Sequence, residues 1–100
     1  MKGNNNNMNN LIDNRQYILS KTKYIVESIL AEKNATEATV GTGIPINAYD
    51  IDSMDLVAIT EDIEATFGIR LSIDEINGES TVSEITDAIF SKIKQKNGRI

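Results

Sequence analysis

The sequence predicts an all-α fold, a small bundle of three main helices plus one short helix, with a long first loop. Apolar residues recur at helical spacing in three separate windows, and no window shows the strict alternation of a half-buried strand. A chain of 100 residues, 40% of them apolar, is enough for one domain with a modest core. We place that domain at residues 12–94. Residues 1–11 form an Asn-rich lead that has little to bury and is expected to be disordered, and residues 95–100 read as a flexible tail.

The first helix is expected from about Asn14 to Lys33. Ile18, Ile25, Ile29 and Leu30 form its apolar stripe, Tyr17 and Val26 flank it, and Lys21, Lys23, Glu27 and Glu32 fall mostly elsewhere. Residues 34–52 are broken by Gly41, Gly43 and the single proline, Pro45. Val40, Ile44, Ile46, Tyr49 and Ile51 make this stretch too apolar for a free linker. It is expected to lie across the helices with those side chains pinned beneath it.

The second helix is expected over residues 53–67, with Asp52 as N-cap, Gly68 as its left-handed stop and a core stripe of Leu56, Ile59, Ile63 and Phe67. Met54 and Val57 fall off that stripe, on a face close to Ser53. Ser72-Ile73-Asp74-Glu75 reads as a capping box opening a very short helix that Asn77-Gly78 ends. A second box, Thr81 to Glu84, opens the last helix, with stripe Val82, Ile85, Ile89 and Ile93 and an end near Lys94.

Composition removes several functions. Without cysteine there is no disulfide and no thiolate metal site; without histidine there is no Ser-His or Cys-His nucleophile pair. We assign no catalytic residue and no metal site. A net charge of −5 disfavours nucleic acid as a partner. The charge is also uneven: between Lys33 and Arg70 there is no Lys or Arg, but there are seven carboxylates. Such a block suits either a basic partner surface or a solvated helix face. No apolar run reaches membrane-spanning length, and a cytoplasmic monomer is expected.

The most distinctive stretch is Asp50-Ile51-Asp52-Ser53-Met54-Asp55-Leu56. An aspartyl phosphotransferase start would need a buried strand in a large parallel sheet, for which the chain has neither strands nor length. A calcium loop counted from Asp50 would place Met54 and Asp55 where Asp or Asn and then Gly are required. On spacing alone, Ser53 is an ordinary first-turn serine.

Asp52-Ser53-Met54-Asp55 resembles the prosthetic-group motif of acyl carrier proteins, Asp-Ser-Leu-Asp with Met in place of Leu. The similarity extends to Phe67 and the Thr81-Val82 start of the last helix, and covers Ile12 to Ile93. The resemblance implies that a phosphopantetheinyl transferase, with coenzyme A as donor, attaches 4'-phosphopantetheine to the Ser53 hydroxyl. The arm would carry acyl groups as thioesters in fatty acid, polyketide, nonribosomal peptide or related lipid biosynthesis. Asp52 and Asp55 would help the transferase engage the site. Glu61, Asp62 and Glu64 would supply a field, and Met54 and Val57 apolar anchors, for acyl-transferring, ketosynthase or ligase-type enzymes with basic docking surfaces. Leu56, Ile59, Ile63, Leu71 and Ile76 would line an acyl pocket between the second and third helices. Two positions depart from the fatty-acid pattern, Tyr49-Asp50 where Leu-Gly is common and Ala58 where Glu is common. These bear on which partners are served. The alternative is an acidic helical adaptor that binds a basic protein surface and never acquires an arm.

Overall fold

Asn14 opens the first helix by accepting the Gln16 N–H on its side chain, and the chain then runs through α1 (Arg15–Asn34) to a left-handed Ala35. The computed structural model describes residues 14–98. The predicted lead over residues 1–11, the start of the predicted domain at Ile12 and Asp13, and residues 99 and 100 lie outside them. Two further helices follow, α2 (Ser53–Phe67) and α3 (Val82–Gly98), and α1 packs against both. Among the described residues there is no strand, only an isolated antiparallel bridge between Pro45 and Thr81.

The core is mostly β-branched. α1 contributes Ile18, Ile25, Val26 and Leu30, α2 contributes Ile59 and Ile63, and α3 contributes Val82, Ile85, Ile89 and Ile93. The connections add Val40, Ile46, Ile69 and Ile76, so they are part of the folded body. Arg15 ties the start of α1 to the start of α3 through Asp87 at 2.7 Å and the Ser83 hydroxyl at 2.9 Å.

The long first loop departs from expectation in three ways, the third at Ile44. It contains a 3-10 turn (Ile46–Ala48), and it pairs with the approach to α3. The Ile46 N–H donates to Ser80 O, Asn47 N–H to Gly78 O, and Ser83 N–H to Thr42 O. Val40 and Ile46 are buried and Tyr49 and Ile51 are half-buried, but Ile44 is exposed. Gly41 ties the loop to its own end, its N–H donating to the Tyr49 hydroxyl at 2.8 Å.

The predicted short helix is a single turn. Ser72 O accepts from both Glu75 N–H and Ile76 N–H, and Glu75 Oε1 accepts from Ser72 N–H, which is half of the expected box. Asn77 stops propagation, because its side chain donates to Ile73 O and its N–H donates to the Ser80 hydroxyl. α3 is longer than predicted: it passes Lys94 and runs to Gly98, and Lys96 Nζ donates to Gly68 O at 2.8 Å. Gln95 and Lys96 therefore belong to the helix, not to a tail.

Candidate functional site

Ser53 is the first residue of α2 and is exposed. Asp52 and Asp55 lock the turn around it. The Asp52 carboxylate accepts from Asp55 N–H at 2.9 Å, and the Asp55 carboxylate accepts from Asp52 N–H at 3.0 Å. The first amides of any helix lack intrahelical partners, and the dipole there favours an anion. A phosphate ester on Ser53 would occupy that position, so the local backbone fits such a group.

A cation absent from the predicted site holds this turn. Lys33, in the last turn of α1, donates to Asp55 Oδ2 at 2.5 Å and to Asp50 O at 2.8 Å. The carboxylates of Asp50 and Asp52 lie 3.7 Å from the same Nζ. The hydrogen bond from Lys33 is the main reason the Asp55 carboxyl sits below the ordinary carboxylate range; the one from Asp52 N–H adds to it. The Lys33 ammonium is raised in turn, chiefly by Asp55. Asp55 is only 19% exposed, against 64% for Asp52 and 76% for Asp50. Of the two motif aspartates, Asp52 is therefore the one a partner can reach, while Asp55 is used within the chain. The available signal for Lys33 was its place as the last cation before the acidic block.

Around Ser53 the remaining predicted residues divide by surroundings. Met54 is 76% exposed and Val57 is 52% exposed, on the face beside the serine. Glu61 and Asp62 are exposed, but Glu64 is half-buried and its Oε2 accepts from Leu71 N–H at 2.8 Å. Glu64 is thus drawn into holding the chain after α2, and the open acidic face is narrower than expected.

A cleft of about 370 Å³ lies between α2 and residues 71–76. Leu56, Leu71 and Ile76 of the predicted acyl pocket line it, joined by Val57, Thr60 and Ile73. Ile59 and Ile63 do not: both are wholly buried in the core, on the side of α2 that faces the bundle. Periodicity places them on the same stripe as Leu56 but does not tell the core side from the cleft side. A larger cavity of about 670 Å³ opens at the far end of α2, among Glu61, Glu64, Arg70, Lys92 and Lys96. It lies farther along α2 from Ser53, so the smaller cleft is the nearer of the two to the serine.

Comparison with protein families matches residues 25–89 to the model described as the phosphopantetheine attachment site. Comparisons with curated proteins and with solved structures returned no match.

Proposed function

The chain belongs to the phosphopantetheine-attachment family, carrier domains that bear 4'-phosphopantetheine covalently on a serine, and from that premise we propose that Ser53 is the attachment point of an acyl carrier. A carrier domain is not itself catalytic; it engages a phosphopantetheinyl transferase and acyl-handling enzymes. The observation that carries the choice of serine is position. Ser53 is exposed at the first residue of a helix, between two carboxylates that fix its turn. Ser20, Ser28 and Ser91 lie inside helices, and Ser80 is buried. Ser83 sits in the first turn of α3, but its hydroxyl already accepts from Arg15. Ser72 is exposed ahead of a single turn, without an α-helix behind it.

In the attachment step the Ser53 hydroxyl loses its proton and Oγ forms a new P–O bond to the phosphorus bearing pantetheine. The pyrophosphate bond of coenzyme A breaks and the adenosine bisphosphate leaves. This chain has no histidine, so the proton goes to the transferase or to solvent. The terminal thiol of the arm supplies what a cysteine-free chain lacks, a group that holds acyl chains as thioesters.

Fatty acid, polyketide or a related lipid pathway is the proposed setting. Exposed Glu61 and Asp62 steer basic enzymes toward α2, and Met54 and Val57 give a short-range apolar contact beside the arm. Intact-mass measurement after incubation with a phosphopantetheinyl transferase and coenzyme A tests the assignment. Wild-type protein should gain one arm, and Ser53→Ala none, with helical circular dichroism nearly unchanged. A modified Ser53→Ala variant would move the site elsewhere. A wild type that gains no mass would favour the unmodified acidic adaptor.

A further inference from the structure

We propose that Lys33 is a positioning residue for arm attachment, acting on Ser53 through the aspartates that flank it; this rests on the reading of Ser53 above. The ammonium of Lys33 comes from a different helix, yet it meets three positions around the serine. It donates to the backbone carbonyl of Asp50 at 2.8 Å, ending the long loop, and to Asp55 Oδ2 at 2.5 Å in the first turn of α2. The N-cap Asp52 has an oxygen at 3.7 Å. One cation thus fastens the residues three before, one before and two after Ser53.

Electrostatics gives the arrangement a consequence. The capping box brings two carboxylates together, and the Asp50 carboxylate, 3.7 Å from the same ammonium, adds a third. Without a cation these groups repel, and the turn that presents Ser53 loosens. Asp55 Oδ2 accepts from both Asp52 N–H and Lys33, so the ammonium holds the Asp55 carboxylate in the orientation that closes the cap. The donor in the transfer is itself anionic, and Lys33 offsets part of the negative field it must enter. Lys33 makes and breaks no bond in the step. It fixes where the hydroxyl stands while Oγ forms the ester and the pyrophosphate bond breaks, and a fixed nucleophile lowers the ordering cost at the transition state.

Because the carrier is the transferase's substrate, two kinds of damage separate in the kinetics. A variant that merely unfolds lowers the concentration of usable substrate and raises apparent KM, leaving kcat unchanged. A folded variant whose Ser53 turn is loose loses kcat. Arm transfer from coenzyme A should be followed by intact mass for wild type, Lys33→Met, Lys33→Arg and Ser53→Ala. Lys33→Met keeps the aliphatic stem and removes the charge, and its kcat should fall about tenfold with KM within about twofold of wild type. Lys33→Arg should recover most of kcat. In the unmodified protein, Lys33→Met should speed amide exchange at Asp52 and Asp55 while Ile59 and Ile63 keep wild-type protection. Unchanged kcat in Lys33→Met, or a loss confined to KM, overturns the role of Lys33 while leaving Ser53 as the attachment point. A wild type that gains no arm, or a Ser53→Ala variant that gains one, removes the reading of Ser53 and the inference with it.

Discussion

The Asp55 carboxylate accepts from the N-cap amide and from Lys33, and both bonds favour its charged form. A carboxyl whose folded value is depressed adds stability that is full above its unfolded pKa, about 4, and is lost as pH falls through the lower folded value. Glu75 acts in the same direction, held down first by the Ser72 N–H and then by Lys92. Lys33 is the mirror case: its contribution is full below its ordinary value and is lost as pH rises through the raised one. We therefore expect Asp55→Asn to melt below wild type at neutral pH, with the gap closing as pH drops below about 4. Thermal melts of both proteins across that range check this, and a gap that stays constant would show that Asp55 contributes no ionic stabilisation. At this scale, residues recognisable by local neighbours were legible: Ser53 between its aspartates, and Met54 and Val57 off the core stripe. Lys33 was not, because its partners lie 17 and 22 residues away and no periodicity encodes a contact across elements. The exposure of Ile44 was hidden for the same reason, since the path of the loop is set by its backbone bonds to residues 78–83.

Elements with chemical punctuation at both ends were predicted closely. α2 begins after Asp52 and stops at Gly68, whose φ of 67° is the left-handed conformation read from the sequence. Where punctuation is weak, tertiary contacts decide. α3 had no strong stop before Gly98, so the prediction ended it early, and residues 72–77 had helix signals but too few residues to propagate. The pairing of the first loop with residues 78–83 rests on backbone bonds between distant segments, which side-chain patterns do not reveal. Gly68 offers a test of how much one stop contributes. A side chain in that conformation costs about 1–2 kcal/mol, and its Cβ would lie 3.4 Å from Lys96 Nζ, the group that closes α3 onto this corner. Gly68→Ala should lower the melting temperature by several degrees, and Gly68→Asn by less, since Asn tolerates the left-handed region. Equal melting of all three would mean that the corner relaxes without strain.

Across the whole molecule, a rigid core and a loosely built edge stand on opposite sides of α2. Ile59 and Ile63 face the core, whereas Leu56 and Val57 face a cleft whose other wall is the single turn at residues 71–76. That wall is anchored by few groups: Glu64 holds Leu71, Lys92 meets Glu75, and Ile73 is 78% exposed. Val57 lies four residues, about 6 Å along the axis, beyond Ser53, so an arm on Ser53 would start about one turn from this part of the cleft. An acyl chain that enters it would cover Leu56, Val57, Leu71 and Ile73 and be covered by them. Each methylene removed from water contributes up to about 0.8 kcal/mol. In a domain of this size, 1 kcal/mol moves the melting temperature by about 4–8 °C. Melting temperature should therefore climb as the thioester-linked chain lengthens, then level off once the roughly 370 Å³ is filled. Amide exchange at residues 71–78 should slow over the same range, because that wall can open only by exposing the chain. Acyl chains of increasing length loaded on the arm, followed by calorimetry and hydrogen exchange, provide the measurement. A melting temperature indifferent to chain length would place the cargo in solvent, as expected of a carrier for polar intermediates.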